Sequence, residues 1–282
     1  MSKKRISLYY IAQEYLKSSW FKEKSVNTQT QYEYYINMYD GRKLAVLASE
    51  FKAVDADNMY QYIKNTKGLR SAEYFVSVWK VVFRYAELNG HVDRNPWTVV
   101  RLKGSKPRRQ RWTRDQVEAI IKEALSRRDV TLAAFVQLLY DTAQRPSDIL
   151  TIDLWYKVNN QWYIDLTQNK TGSEVIVPIS DTAMDLCGRP EPASRKFLLS
   201  FDIKTLNALR RSFNNIKDFL NIPKELQLRD IRRTAITEMS ERGATDDEMR
   251  TVSGHKDSSM LPVYSVPTIL KAQAMFDRRF KE

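Results

Sequence analysis

Four side chains in the last third of the sequence have types and spacings suited to chemistry on a phosphodiester. Arg229 and Arg232 lie three residues apart, and His255 precedes Tyr264 by nine residues. A phosphodiester gains negative charge on its non-bridging oxygens when it is attacked, and the planar guanidinium group offers paired donors to those oxygens. A tyrosine hydroxyl can act as the attacking nucleophile. Together these residues could bind and cleave a phosphodiester.

A predicted helix carries the two arginines. Residues three apart are neighbours on a helix surface, so Arg229 and Arg232 are expected to share one face. Gly243 is suited to end this helix, because glycine readily adopts the left-handed conformation that closes many helices. We therefore expect both guanidinium groups to point the same way.

The next helix has a clear predicted start. Thr245 and Glu248 have the spacing of a capping box, in which each side chain binds a backbone N–H group of the other residue. The helix is predicted to run to Ser253, and Gly254 then breaks it and presents His255 on a turn. The stretch thus predicts helix, turn, helix and loop, in that order.

Each of these side chains alone also has a purely structural explanation. The arginines could pair with nearby aspartates, His255 could cap a turn, and Tyr264 could pack in a core. The joint pattern, however, resembles the carboxyl-terminal signature of the tyrosine recombinases, the phage integrase family: H-x-x-R, then G-H, then a nucleophilic tyrosine. Arg229 departs from this signature, since it stands where the family usually has its first histidine. The positions that match are Asp230, Arg232, Arg233, Thr234, Gly254, His255 and Tyr264.

A second motif, TAQRPSDIL at 142–150, follows an apolar segment that is predicted to be a buried helix. Pro146 suits the first position of a further helix, which would place Arg145 at a helix N-terminus, where backbone N–H groups favour an anion. An arginine before a proline is common and means little alone. The segment resembles the family's first arginine box, which implies that Arg145 binds the phosphate and Asp148 braces the site.

The apolar period changes from helix to strand between residues 152 and 180. Three strands are predicted, Asp153–Val158, Gln161–Leu166 and Val175–Ile179, with the first two joined by an Asn-Asn turn. Lys170 lies in the QNKTGSE segment before the last strand, and a lysine at a hairpin tip is usually solvated and without a role. The segment resembles the Q-x-K-T-G turn of the family, which implies that Lys170 belongs to the active site.

The amino-terminal part, residues 5 to about 100, has the apolar spacing of a bundle of four helices, with Asp55 capping the third and Ser71 the fourth. A structural bundle without a DNA role fits this segment equally well. Its layout, which ends in RNPW at 94–97, resembles the core-binding domain that precedes the catalytic domain in integrases. The candidate phosphate contacts of this domain are Lys64, Lys67 and Arg70.

The segment 101–112, RLKGSKPRRQRW, contains six basic residues and no acidic one. Its glycine and proline oppose regular structure, so we predict a linker. The segment could be a solvated hinge. The positive charge of the whole chain favours instead a strap that lies along a phosphate backbone. Two domains joined by such a strap could close around a duplex. The predicted DNA contacts in the linker are Lys103, Lys106, Arg108, Arg109 and Arg111.

The composition favours a polyanionic partner. The formal net charge is +12 and the pI is about 9.6, although ribosomal, chromatin and membrane-surface proteins share such charge. Cys187, His91 and His255 are the only residues of their types, so ligands for a transition metal are scarce. No apolar run reaches the length of a membrane span and no signal peptide is evident, so we expect a cytoplasmic, nucleoid-associated protein without membrane contact.

The predicted fold is mainly α with a small antiparallel β-sheet. A helical core-binding domain that binds DNA is predicted over residues 1–100, the basic linker over 101–112, and an α+β catalytic domain over 113–282. A tail helix that begins at Pro267 would pack on its own domain or on a neighbour's.

The resemblance implies a site-specific DNA recombinase or integrase without a cofactor. Tyr264 would attack the scissile phosphate of double-stranded DNA to form a 3′-phosphotyrosyl link, and Lys170 would protonate the leaving 5′-oxygen. Arg145, Arg232 and His255 would hold the non-bridging oxygens, while Arg229 would stabilise transition-state charge. The expected assembly is a homotetramer on two DNA sites, with accessory DNA-bending or excision factors. The alternatives are a type IB topoisomerase and a non-catalytic DNA-binding protein that keeps the fold.

Overall fold

The chain divides into two compact units, residues 1–107 and 108–282. This division falls inside the segment 101–112 that the sequence predicts as a linker. The computed structural model describes residues 6–38, 45–104, 109–152, 154–188 and 206–255.

The first unit is a helical bundle, as the sequence predicts, and its core is rich in aromatic residues. Its described part contains the four predicted helices and a short helix, Ser19–Lys22, that was not predicted. Its elements are α1 (Leu8–Lys17), α2 (Ser19–Lys22), α3 (Val26–Asn37), α4 (Ala53–Lys67), α5 (Leu69–Leu88) and a 3₁₀ turn (Pro96–Val99). Trp79 of α5 and Trp97 of the 3₁₀ turn are fully buried, and their rings stack with 6.1 Å between centroids. Like every other helix in the described part of the chain, α5 is not both long and apolar enough to cross a membrane.

Two predicted helix caps of this unit are wrong. Asp55 does not cap α4: Lys52 is the N-cap residue, and the Asp55 carboxylate accepts the Lys52 backbone N–H at 2.8 Å from inside the first turn. Ser71 lies within α5, which begins directly after Gly68. Gly68 has a φ of 90°, which glycine adopts without steric cost, so it ends α4 and starts α5 in place of a capping side chain.

The second unit is built around a buried helix. Its helices are α6 (Arg114–Ser126), α7 (Val130–Thr142), α8 (Pro146–Ile149), α9 (Asp181–Leu186), α10 (Leu206–Phe219), α11 (Asp230–Glu241) and α12 (Asp246–Ser253). α7 packs against α6, α9 and α11, which explains why its sequence is apolar on nearly all sides. The capping box predicted at Thr245 is formed, and Thr113 forms a second one with Gln116 at the start of α6.

A three-stranded antiparallel sheet packs on α7. The strands β1 (Leu154–Val158), β2 (Gln161–Thr167) and β3 (Glu174–Ile179) lie in the order β1-β2-β3, with Trp155 opposite Ile164 and Ile164 opposite Val177. Alternate residues of β2 and β3 are buried, as expected for a sheet with one face on the core. The predicted strands are confirmed to within two residues at each described end, and Asp153 lies outside the described residues.

Candidate active site

Arg145 lies between α7 and α8, where the chain turns sharply. Ala143 ends α7 with a left-handed φ of 54°, and Arg145 follows as the N-cap residue of α8 with an extended backbone. Its Nη1 donates to Oε1 of Gln168 at 2.7 Å and to Oδ2 of Asp148 at 3.4 Å. Asp148 is fully buried, so its carboxylate is well placed to brace the guanidinium group.

The short length of α8 changes the expected electrostatics. The sequence suggests that a helix N-terminus would help Arg145 to attract an anion. α8 has only 4 residues, so its aligned peptide dipoles add little field at Arg145. The positive charge available here is therefore that of the guanidinium group itself.

Arg232 brings a second guanidinium group to the site from α11. The residue is buried, with 6% of its surface exposed. Its Nη2 donates to the backbone oxygen of Ser253 at 2.8 Å and lies 3.4 Å from Nε2 of His255. The helix, turn and helix predicted from the sequence thus place Arg232 beside His255.

The hydrogen bonds of Ser253 fix the tautomer of His255. The Ser253 hydroxyl contacts both the Met249 carbonyl oxygen and Nδ1 of His255, the latter at 2.7 Å. A carbonyl can only accept, so the hydroxyl proton goes to Met249, and Nδ1 must then be the donor to Ser253. We therefore assign the proton of the neutral ring to Nδ1, which leaves a lone pair on Nε2 beside Arg232.

The charges of the two arginines converge on this ring. Burial, followed by the positive charges of Arg232 and Arg145, lowers the pKa of His255 from 6.5 to about 4. The imidazole is therefore neutral at pH 7. The structure thus brings together Arg145, Arg232 and His255 at a site with an excess of positive charge.

Lys170 lies in the exposed turn between β2 and β3. The turn closes through two backbone hydrogen bonds, from Gln168 to Ser173 and from Gly172 to Gln168. The Asn169 backbone N–H donates to Asp148 at 3.3 Å, which ties the turn to the Arg145 segment. The turn that carries Lys170 is therefore attached to the site, with the lysine at its solvent side.

The prediction that Arg229 and Arg232 share one face of a helix is wrong, because the helix that carries Arg232 does not include Arg229. α11 begins at Asp230, so Arg229 precedes the helix as its N-cap residue and its side chain is exposed. It lines a cleft of about 660 Å³ together with Pro146, Arg210 and Lys224. Arg229 thus lies at a basic cleft bordered by α8, whereas Arg232 contacts the loop of His255.

The predicted DNA contacts of the first unit surround the junction of α4 and α5. Lys64 is half-buried and its Nζ lies 5.9 Å from the centre of the Tyr60 ring, while Lys67 and Arg70 are exposed. In the linker, Lys103 and Arg109 are exposed, and Arg111 pairs with Glu241 at 2.6 Å. Lys106, Arg108, Tyr264 and the predicted tail helix lie outside the described residues.

Sequence reasoning missed three residues that connect the site: Gln144, Gln168 and Ser253. Gln168 belongs to the QNKTG motif, but only Lys170 of that motif has a titratable group that suggests chemistry. Ser253 contributes its backbone oxygen as well as its hydroxyl, and a backbone contact leaves no sequence signal. In the described part of the chain, no group of three or more His, Cys, Asp or Glu residues could hold a metal ion.

We expect Gly254→Ala to reduce strongly the DNA cleavage that the resemblance implies. Gly254 ends α12 with a φ of 66°, a left-handed conformation that costs other residues roughly 1–2 kcal/mol. A Cβ atom there would also lie 2.4 Å from Nε2 of Gln168 and 2.9 Å from Cγ1 of Val175, so the amide or the His255 loop must move. A shift of about 1 Å in an active site can lower a rate on the order of 10²-fold.

Gly188→Ala is the matched control, because Gly188 has a φ of 80° and a Cβ atom there meets no described atom within 4 Å. Thermal unfolding should show a loss of stability in both variants from backbone strain. Only Gly254→Ala should also lose cleavage rate. Equal cleavage by the two variants would contradict the steric argument.

The sequence is similar to known integrases. It matches the model of the phage integrase family over residues 110–268, more than half of the 282-residue chain. The integrase of Escherichia phage HK022 is 32% identical over 112 residues, which make up 40% of this chain and 30% of that relative. The matched segment therefore spans less than a third of the curated relative.

Solved structures share the fold over nearly the whole chain. A lambda integrase dimer bound to a COC′ core site has a TM-score of 0.79 at 20% identity, over 94% of this chain and 79% of that one. A lambda integrase tetramer bound to a Holliday junction has a TM-score of 0.77 at 20% identity, over 95% and 81%. The Tn1549 transposon integrase in complex with transposon right end DNA has a TM-score of 0.74 at 15% identity, over 97% and 99%.

Proposed function

Because the chain belongs to the phage integrase family, we propose that it is a tyrosine site-specific recombinase, which cuts and rejoins double-stranded DNA through a 3′-phosphotyrosyl intermediate. The observation that carries this proposal is the convergence of Arg145, Arg232 and His255 from three separate segments. Two guanidinium groups and an imidazole suit the non-bridging oxygens of one phosphodiester. The net charge of +12 suits a DNA duplex as the source of that phosphodiester.

In the proposed reaction, the Tyr264 oxygen attacks phosphorus as the bond to the 5′-oxygen breaks. The proton of the Tyr264 hydroxyl passes to Nε2 of His255, which carries a lone pair. Arg145 and Arg232 stabilise the charge that develops on the non-bridging oxygens, and the protonated Nε2 of His255 then donates a hydrogen bond to one of them. Lys170 gives a proton to the departing 5′-oxygen. A 5′-hydroxyl then attacks the phosphotyrosine in the reverse sense, so the phosphodiester energy is retained and no nucleotide cofactor is required.

Arg229 supplies charge in this scheme and does not move protons. A guanidinium group is a poor proton acceptor near neutral pH, so Arg229 is not expected to take the proton from Tyr264. Its exposed position at the basic cleft beside Pro146 suits a contact with the DNA backbone near the cut.

The remaining partners follow from this function. Strand exchange joins two duplexes, so we propose that four copies of the chain assemble on two DNA sites. The assembly of lambda integrase as a tetramer on a Holliday junction is a precedent for this arrangement. Contacts with DNA and between subunits would come from the unit 1–107, the basic linker and the predicted tail helix. Accessory factors would set the direction of recombination. The DNA substrate would place the protein with the nucleoid in the cytoplasm.

The proposal is tested by mapping the DNA end that becomes attached to the protein. The purified chain is incubated in EDTA with a library of randomised duplexes, and adducts that survive denaturant are digested with protease and sequenced. We expect a tyrosyl peptide on a 3′-phosphate and a free 5′-hydroxyl on the other end. The absence of any adduct, or attachment to a 5′-phosphate, would contradict the proposal.

Plasmids that carry the recovered sequence then separate a recombinase from a topoisomerase. A plasmid with two copies of the site should yield products in which the flanking DNA is exchanged, whereas relaxation of plasmids without the site should be slow. Efficient relaxation of any supercoiled plasmid without exchange would indicate a topoisomerase.

A further inference from the structure

A buried amide connects the segments of the site. Gln168 is fully buried, and its Oε1 accepts from Nη1 of Arg145 at 2.7 Å and from the Thr171 hydroxyl at 2.8 Å. Its Nε2 donates to the backbone oxygen of Ser253 at 2.7 Å and to Oε1 of Gln144 at 2.6 Å. All four hydrogen-bonding positions of the side chain are therefore occupied.

The two ends of this amide link the two arginines. The Ser253 oxygen that accepts from Gln168 also accepts from Nη2 of Arg232 at 2.8 Å. A continuous path of hydrogen bonds thus runs from Arg145 through Gln168 and the Ser253 carbonyl to Arg232. Residues 145, 168, 232 and 253 come from four different segments, so the path holds the site together across the fold.

We propose that Gln168 is a positioning residue that sets the distance and orientation of Arg145 relative to Arg232 and His255. The inference rests on the proposed function, since it assigns to Gln168 the task of preparing both guanidinium groups for one phosphodiester. Gln168 does not itself touch the reacting atoms in this scheme. It acts through Arg145, which donates to its Oε1, while its Nε2 donates to the Ser253 carbonyl.

A neutral amide is the side chain that this position requires. The two guanidinium groups repel each other, so a hydrogen bond is needed to hold Arg145 near Arg232. Gln168 can provide it because its amide binds both Arg145 and the Ser253 carbonyl, which in turn binds Arg232. The Ser253 oxygen and Oε1 of Gln144 can only accept, which orients Nε2 of Gln168 towards them and Oε1 towards Arg145. A carboxylate would keep the acceptor but lose both donors, and its charge would compete with a phosphate for Arg145.

The orientation of Gln144 supports the same arrangement. Nε2 of Gln144 donates to the backbone oxygens of Thr142 and Val252, at 2.9 and 2.7 Å. Its Oε1 is thereby left to accept from Gln168, and both amides are fixed in a single orientation.

Arg145 retains donors for a phosphate. It uses Nη1 for its contacts with Gln168 and Asp148, and a guanidinium group has five N–H donors in all.

The test is a double-mutant cycle between Gln168→Met and Arg145→Lys. Methionine has a similar length but neither donates nor accepts strong hydrogen bonds, and lysine keeps the charge of Arg145 but loses its planar fork. We expect Gln168→Met to lower the rate of adduct formation at saturating DNA by roughly 10–100-fold, with DNA affinity changed less than about threefold. In the Arg145→Lys background, Gln168→Met should lower the rate by less than about threefold, because residues that act as a unit are not additive.

Gln161→Met is the matched control. Gln161 also donates through Nε2 to two backbone oxygens, those of Trp162 and Ile179, but at the far end of β2. It should cleave at the wild-type rate, and adding it to Arg145→Lys should cause no further loss. If Gln168→Met does not fold, Gln168→Asn replaces it. Asparagine keeps the neutral amide but is one methylene shorter and cannot keep all four contacts, so the same loss and the same dependence on Arg145 are expected.

Two outcomes would overturn the inference. One is a Gln168 variant that forms adducts within about threefold of the wild-type rate. The other is an equal loss with and without the Arg145→Lys change, which would show that Gln168 acts independently of Arg145. A wild-type chain that forms no adduct would instead refute the proposed function, so the two failures are distinguishable.

Discussion

Tyr264→Phe should bind its DNA site with wild-type affinity and form no covalent adduct that resists denaturant. The change removes one oxygen atom, which in the proposed reaction is the nucleophile, and leaves the aromatic ring in place. Loss of a nucleophile in a serine protease lowers the rate on the order of 10⁶-fold, so adduct formation should fall below detection. Binding is measured by fluorescence anisotropy and the adduct by a mobility shift in denaturing gels.

Tyr163→Phe is the control for removal of a tyrosine hydroxyl from the same unit. Tyr163 lies on β2, where its ring stacks on that of Tyr156 with 5.7 Å between centroids. This variant should form the adduct at the wild-type rate. A wild-type yield of adduct from Tyr264→Phe would assign the nucleophile to another residue.

Features with local signals could be predicted from the sequence. The capping boxes of Thr113 and Thr245 are formed because a cap depends only on residues three positions apart. The β1–β2 hairpin has Asn159 and Asn160 at φ values of 46° and 66°, the left-handed geometry that an Asn-Asn turn favours. The fold also places Arg145, Arg232 and His255 of these motifs close together, and their role at a phosphate stays a prediction.

Features that depend on distant contacts could not be predicted. The amide of Gln168 donates to the backbone oxygen of Ser253, 85 residues later in the chain. No local sequence pattern predicts a hydrogen bond to a distant backbone oxygen. The length of α8 could not be predicted either. Pro146 indicates where the helix starts, but the motif has no residue that would end a helix after 4 residues. The start of α5 directly after Gly68 was missed because Ser71 has a strong preference for the N-cap position. The role of Gly68 depends on its φ angle, which the sequence does not reveal.

Arg232→Ala should reduce cleavage of ordinary DNA by roughly 10²–10⁵-fold, the range observed for groups that stabilise charge in acyl and phosphoryl transfer. The effect should be large because Arg232 is 6% exposed, and a charge excluded from water acts strongly on a bound anion. Its hydrogen bond to Ser253 fixes the guanidinium group before DNA arrives, so no reorganisation is needed during the reaction. Single-turnover cleavage of a suicide substrate measures this loss, and Arg114→Ala, at an exposed arginine of α6, should leave the rate unchanged.

A sulfur substitution separates charge stabilisation by Arg232 from proton transfer by Lys170. An alkoxide leaves badly because the pKa of its conjugate acid is near that of water, about 15.7, whereas that of a thiol is about 8.5. The difference is worth up to roughly 10 kcal/mol at about 1.36 kcal/mol per pKa unit, of which a transition state expresses a part. Lys170→Ala should therefore cleave ordinary DNA slowly but a 5′-bridging phosphorothiolate at nearly the wild-type rate.

Arg232→Ala should stay slow on both substrates, because the sulfur atom does not replace the charge that the non-bridging oxygens require. The exposed position of Lys170 on a turn tied to Asp148 is consistent with a group that reaches the departing oxygen from the solvent side. Arg232, in contrast, is fixed inside the site beside His255. If sulfur restores both variants equally, or restores neither, Lys170 is not the acid, and the proton must reach the 5′-oxygen from another group or from water.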